Sequence, residues 1–206
     1  MRRKEFTVLN HEAMIQFLEQ SEYGLLSLVD FENKPYGVPL NFVYWNEGIV
    51  FHGAMEGKKA TLLTHPRNAS FAVIKAYSFI PSYFSHTSLA CPATQFFGSV
   101  ILEGTVTLVE NLEEKANALN ALMEKLQPEG LYEKISVKNP AYTKMLTNTA
   151  VFYMKIEHHS FKLKIGQNLN EQRKNILIEE LEKRSSALDQ ETLKLIRSYE
   201  NGHTQK

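Results

Sequence analysis

A chain of 206 residues suits one domain better than two, at roughly 150 residues per domain. Apolar residues at 43% and charged residues at 22%, with 10 glycines and 7 prolines, exclude a disordered chain and a fibre. Lys plus Arg and Asp plus Glu are 23 each, so the formal charge is zero and the basic excess of a dedicated nucleic-acid binder is missing.

The chain begins with a basic cluster, Arg2, Arg3 and Lys4, with no apolar run behind it. No signal peptide is expected, and no stretch nears the ~18 apolar residues of a membrane span. Residues 10–20 read as a helix capped by Asn10, with Met14, Phe17 and Leu18 on one face. Tyr23–Val29 reads as a strand, Asp30 to Lys34 as a polar turn, 36–44 as a second strand and 49–52 as a third, after the tight turn Asn46-Glu47-Gly48. This hairpin spacing predicts a meander. Pro39 cannot donate to a ladder, so it belongs at an edge, at a bulge or where the backbone faces something else.

Residues 58–65 suggest a brief helix ended by Pro66, and 69–76 a fourth strand. A long loop follows over 77–94, whose Tyr77, Phe79, Tyr83 and Phe84 either line a pocket or pack the loop itself. It also carries Cys91, the single cysteine, which has no basic neighbour and reads as a buried or inert thiol. With no intrachain disulfide open to it, the chain suits a reducing cytoplasm. Residues 95–109 form a long strand with Gly98 and Gly104 at bends or bulges. The clearest helix spans 111–126, with Asn111 and Glu114 as a capping box and a stripe of Leu112, Ala116, Leu119, Met123 and Leu126. Residues 150–156 give the last strand, and 170–200 two amphipathic helices broken near Ser185 and Ser186, with Asp189 as a new cap. Neither repeats nor a linker interrupt the chain, so we expect one domain over 1–206 with a helical tail at about 168–200. Six or so strands without regular crossover helices predict a mainly β protein, a small antiparallel barrel with peripheral helices.

Dinucleotide, Walker, nucleophile-elbow and zincin signatures are absent. His158 and His159 are adjacent, which on a strand sends them to opposite faces and argues against a shared metal site. The informative stretch is 48–59. An apolar strand ends at His52, and small Gly53 and Ala54 leave room for a ligand at the backbone. Gly57 opens a helix with Lys58 and Lys59 in its first turn. Backbone amides with two ammonium groups make an anion site, and a bound phosphate would offset the helix dipole that lysines oppose there. The same residues also read as two solvated lysines on a surface helix.

Val38-Pro39-Leu40-Asn41-Phe42-Val43-Tyr44, Phe51-His52-Gly53-Ala54, Gly57-Lys58-Lys59, and Ser99-Val100 with Gly104 occur in an order and spacing that resembles the pyridoxamine 5′-phosphate oxidase-like superfamily of FMN-binding split barrels. The branch most like it holds the nitroimidazole-resistance (Nim-type) flavoproteins. The stretch from Lys162 to Arg173 is similar to the Lys-x-Lys-x-x-Gln-Asn segment of related flavin-binding proteins, and the likeness covers roughly residues 8 to 200. It implies an FMN-binding split barrel that works as a homodimer, with flavin in a cleft between subunits. Pro39, Leu40, Asn41, Phe42 and Val43 would offer main-chain groups to the isoalloxazine edge. His52 and Gly53 would lie beside the flavin, Lys58 and Lys59 would hold its phosphate, and Ser99 would make a polar contact. His52 is the candidate acid. Phe97-Gly98 stands where the Nim-type pattern has Tyr-Arg, which removes one phosphate contact. The carboxy-terminal Trp and Arg that grip pyridoxal in true oxidases are not found, so that reaction is not expected. The activity implied is electron transfer from NAD(P)H to a small acceptor, a nitro compound or quinone. A flavin-binding regulatory or storage protein, or a haem-binding barrel using His158 or His159, are the alternatives.

Overall fold

The computed structural model describes residues 3–85 and 88–203, with side chains to 199. Seven strands form one sheet in the order β2-β1-β5-β6-β7-β4-β3. They are β1 (Tyr23–Val29), β2 (Pro35–Asn41), β3 (Val43–Trp45), β4 (Gly48–Ala54), β5 (Arg67–Ile80), β6 (Thr94–Leu108) and β7 (Thr149–Lys164). Contacts divide the chain into two units, one of Met1–Leu9, Ile74–Ser99 and Phe161–Lys206, the other of Asn10–Val73 and Val100–Ser160. Strands β5, β6 and β7 give residues to both.

The second unit opens with α1 (His11–Glu19), where the Asn10 side chain accepts the Ala13 N–H at 3.0 Å. Met14, Phe17 and Leu18 are buried, as their spacing predicts. Strand β1 pairs antiparallel with β2 from Tyr23↔Asn41 to Val29↔Pro35. The turn between them is shaped by Asp30, whose Oδ1 accepts the N–H groups of Glu32 and Lys34. The strand expected over 36–44 is divided at Phe42. Strand β2 stays with β1, whereas β3 pairs with β4. These two strands are the opposite edges of the sheet, yet one residue joins them. Consecutive Cα atoms are ~3.8 Å apart, so the sheet must curl until its edges meet, and the expected meander becomes a barrel seam. Phe42 fills that seam, fully buried, with its ring edge-on to Phe71 at 5.1 Å. Pro39 lies on the edge strand, where a missing N–H is tolerated.

Strand β4 pairs with β7 from Gly48↔Lys155 to Ala54↔Thr149. Phe51 stacks on Phe71 and Phe152 in the core. Strand β7 is twice the expected length because its alternation passes through four exposed residues, Glu157 to Ser160, before Phe161 and Leu163 turn inward again. Gly104 marks a close approach rather than a bend. A Cβ there would sit 1.9 Å from the Lys155 carbonyl oxygen.

Helix α3 (Leu112–Leu126) is capped by Asn111, as its sequence implies. Its inner face differs from the expected stripe. Leu112 and Leu126 are exposed, and Ala118 and Leu122 pack on Val43, Val50, Val109 and Val151. Lys115 is buried because its Nζ donates to the carbonyls of Leu146 and Thr149, at the end of α4 (Pro140–Asn148). A lysine used this way is invisible to an apolar pattern. Helix α4 carries almost no apolar pattern, since only Leu146 of its nine residues is buried; its signals are the Asn139 cap and Pro140 in its first turn.

In the first unit, β5 runs on to Ile80, so the loop expected over 77–94 shrinks and its aromatics separate. Tyr77 and Phe84 are buried, Phe79 and Tyr83 exposed. The tail forms α5 (Glu171–Arg184) and α6 (Ala187–His203), parted at Ser185 in a left-handed conformation, φ 50°. The cap of α6 is Ser186 rather than Asp189. Ser186 Oγ accepts the Asp189 N–H while Asp189 Oδ2 accepts the Ser186 N–H, a reciprocal capping box. Asp189 is fully buried and also takes hydrogen bonds from Arg184 at 2.5 and 2.8 Å and from Ser78 Oγ at 2.5 Å. Arg184 and then Ser78 and Ser186 hold its carboxyl well below the usual range against the cost of burial. A depressed native pKa stabilises above the ordinary carboxylate value and is lost as pH falls through it. Arg184→Ala should cost about 3 kcal/mol in urea unfolding at pH 7. Acid unfolding of the parent, followed by helix signal, should set in only below pH ~4. Arg184→Ala with unchanged stability would contradict this reading.

Candidate cofactor site

Strand β4 ends at His52, Gly53 and Ala54, and the chain turns through Gly57 at φ 94°, a conformation natural to glycine. Helix α2 (Lys58–Leu62) follows, shorter than the 58–65 expected, with Arg67 Nε donating to the Leu62 carbonyl at its end. The two lysines take different courses. Lys58 Nζ lies 2.9 Å from Asp30 Oδ2 and 4.9 Å from the centre of the Tyr36 ring. Lys59 Nζ donates to the His52 carbonyl at 3.0 Å and stands 5.6 Å from the ring centres of Phe51 and Phe152. A Cβ on Gly53 would meet that ammonium at 2.4 Å. The glycine therefore makes room for Lys59, where sequence alone suggested room for a ligand.

Burial lowers the Lys59 pKa, and among the described residues no carboxylate lies within ion-pair range of it. The site holds one cation already balanced by Asp30 and one without a counter-charge. His52 is exposed. Partial desolvation, and then the charge on Lys59, hold its imidazole below the ordinary value. The ring is therefore neutral at pH 7, one nitrogen donating and the other accepting.

Pro39 is exposed on edge strand β2, Leu40 and Asn41 are half-buried, and Phe42 and Val43 are buried. Asn41 Nδ2 donates to the Glu22 carbonyl at 3.1 Å. Beneath the seam, Lys125 Nζ stands 3.8 Å from the centre of the Phe42 ring and donates to the Leu18 carbonyl at 2.9 Å. Burial pulls its pKa down to about 8. Asp30 and Lys125 both escaped sequence reasoning. Ser99 lies on β6, half-buried, in the first unit, whereas the other expected site residues belong to the second.

The profile of the family described as pyridoxamine 5′-phosphate oxidase matches residues 10–163. The chain belongs to that family. Its curled antiparallel sheet with peripheral helices is the split barrel of these proteins. No curated protein matches the chain. Among solved structures, it resembles a Bacteroides thetaiotaomicron protein described as a candidate 5-nitroimidazole antibiotic resistance protein. Identity is 20% and the TM-score 0.62, over 76% of this chain and 85% of that one. A FAD and heme binding protein from Mycobacterium smegmatis is similar at 18% identity and TM-score 0.65, over 77% and 73% of the two chains. The flavocytochrome Anf3 from Azotobacter vinelandii is similar at 21% identity and TM-score 0.65, over 77% and 69%. At these identities the likeness is one of fold.

Other candidate groups of this split-barrel chain lie elsewhere. Both His158 and His159 are exposed on β7, and the His159 ring lies 6.1 Å from that of His11. Among the described residues no group of three His, Cys, Asp or Glu could hold a metal ion. Cys91 is exposed, so the burial expected of it does not occur. No helix among the described residues is long and apolar enough to cross a membrane.

Proposed function

We propose that the chain binds FMN as a homodimer and acts as an oxidoreductase, passing electrons from NAD(P)H to a small acceptor such as a nitro compound or quinone. The observation that carries this reading is the Lys58–Lys59 pair beside the His52–Gly53 strand end in a chain of this family. The donor set fits a flavin phosphate. Lys59 carries a half-buried charge that a dianion would balance, and Lys58 can exchange its exposed pairing with Asp30 for the same oxygen atoms. Edge strand β2 presents main-chain groups at Pro39 to Asn41 on the side away from β1, suited to the polar edge of the ring. A bound flavin supplies the electron chemistry. The protein orients it and keeps a neutral His52 at hand as hydrogen-bond partner. Proteins of similar fold are described as binding FAD and heme, and one as a candidate nitroimidazole-resistance protein, which supports a flavin and a nitro acceptor here.

The test is anaerobic addition of NADPH to the FMN-loaded protein, followed by a nitroaromatic compound and, separately, a quinone. Bleaching of the flavin band and its return on adding acceptor is the result expected. A flavin that stays oxidised would overturn the enzyme and leave a binding or regulatory protein. Within the same preparation, Asp30→Asn should tighten FMN binding a few-fold, because Lys58 no longer has to leave an ion pair. Looser binding in that variant would mean that Asp30 orients Lys58 for the phosphate instead.

A further inference from the structure

The Lys162-Leu-Lys-Ile-Gly-Gln-Asn run at the end of β7 plays no part in the site above. Most of its other residues have structural roles. Leu163 and Ile165 are buried. Gly166 takes φ 91°, and a Cβ there would press on Phe96, Leu169 and Leu177 at 3.1–3.3 Å. Gln167 ties the turn, donating to the Leu163 carbonyl at 2.6 Å and accepting the Ile165 N–H at 2.9 Å. Lys162 and Lys164 remain, alternate residues that share the outward face of the strand.

The amino-terminal segment runs beside this strand end. Thr7 bridges Lys162 in antiparallel sense, and the Val8 N–H donates to the Phe161 carbonyl at 3.0 Å. That placement brings a third cation. The Arg3 guanidinium carbon stands 4.7 Å from the centre of the Phe6 ring. Lys162 Nζ lies 5.8 Å from the same ring and 5.0 Å from that of Phe97. Lys164 Nζ donates to Thr94 Oγ1. Against these three charges stands Glu5, ion-paired to Arg3 at 2.7 Å. Among the described residues neither Lys162 nor Lys164 has a carboxylate within ion-pair range. Burial, then the charges of Arg3 and Lys162, lower the Lys164 pKa. The cluster repels itself, and an anion would relieve it.

We propose that Arg3, Lys162 and Lys164 form a second anion site, built of first-unit residues alone, that takes the diphosphate of a nucleotide with its base against half-buried Phe97. Alternate strand residues are ~6.6 Å apart along the strand, a gap that two flexible lysine side chains can close onto the oxygen atoms of one diphosphate. A flat aromatic ring beside them accepts a base without regard to its identity. The site does not depend on the flavin reading.

Calorimetric titration of the full chain with inorganic pyrophosphate, and separately with ADP, tests it. Saturable binding that weakens with salt is expected, with ADP tighter than pyrophosphate. Lys162→Gln with Lys164→Gln should weaken both ligands by about tenfold or more. The double arginine variant should restore binding, and keeps the test valid should the glutamine variant not fold. Loading the chain with FMN beforehand, which would fill the Lys58–Lys59 site, should leave pyrophosphate binding unchanged. Phe97→Leu should abolish the advantage of ADP. An absence of saturation, or pyrophosphate binding that FMN competes away, would overturn the proposal. ADP binding no tighter than pyrophosphate would overturn its nucleotide part.

Discussion

Exchanging Lys58 and Lys59 together for alanine should strip flavin from the protein while leaving it folded. Each lysine would donate a charge-assisted hydrogen bond to the phosphate, worth about 1.5–3 kcal/mol. Losing both removes about 3–6 kcal/mol, or roughly a hundredfold to upwards of ten-thousandfold in affinity. The two contributions should be unequal. Lys59 stands without a carboxylate partner, held by the His52 carbonyl and the rings of Phe51 and Phe152, whereas Lys58 must first leave Asp30. Lys59→Ala should therefore cost more than Lys58→Ala. Both side chains sit at a short surface helix, so unfolding by urea should shift little. Flavin content per subunit after purification, with a titration of the stripped protein, checks the expectation. A double variant that keeps its flavin at parent affinity would remove the phosphate from this place.

The largest loss of stability should come from Gly104→Ala. The added Cβ would lie 1.9 Å from the Lys155 carbonyl oxygen and 3.2 Å from the Glu157 nitrogen, and both are main-chain atoms of β7. No rotamer change can relieve that, so β6 and β7 must separate locally and the sheet loses ladder bonds. More than about 3 kcal/mol is expected in urea unfolding. Gly57→Ala is the useful contrast. Nothing lies within 4 Å of a Cβ there, so only the left-handed backbone matters, at about 1–2 kcal/mol. Similar losses at the two positions would show that strand crowding at Gly104 is not the cause.

These glycines also show what could be read in advance. Gly104 and Gly57 were recognisable as special, but the atoms that crowd Gly104 were not, because Lys155 comes from a distant strand. Local signals held well. The Asn10 and Asn111 caps, the strand Tyr23–Val29 and the placing of Lys58 and Lys59 at a helix start follow from side chains acting within a turn. The break at Phe42 carries no turn residue, because a single buried aromatic can pass from one sheet edge to the other without a glycine or proline. Strand β7 outran its apolar signal since its middle faces solvent. At the site, His52, Gly53 and Lys59 do come together, whereas the pairing of Lys58 with Asp30, 28 residues earlier, is a tertiary contact with no local trace. Lys115 and Lys125 leave no sequence signal for one reason. A lysine counts as polar in any pattern, yet each is drawn inward by carbonyls at a helix end.

The most direct measurement is the absorbance spectrum of the freshly purified protein, followed by release and mass identification of its chromophore. Flavin bands, and FMN on release at about one per subunit, are expected. A Soret band in their place would transfer the barrel to haem chemistry, and a colourless protein that takes up no added FMN would contradict flavin binding outright.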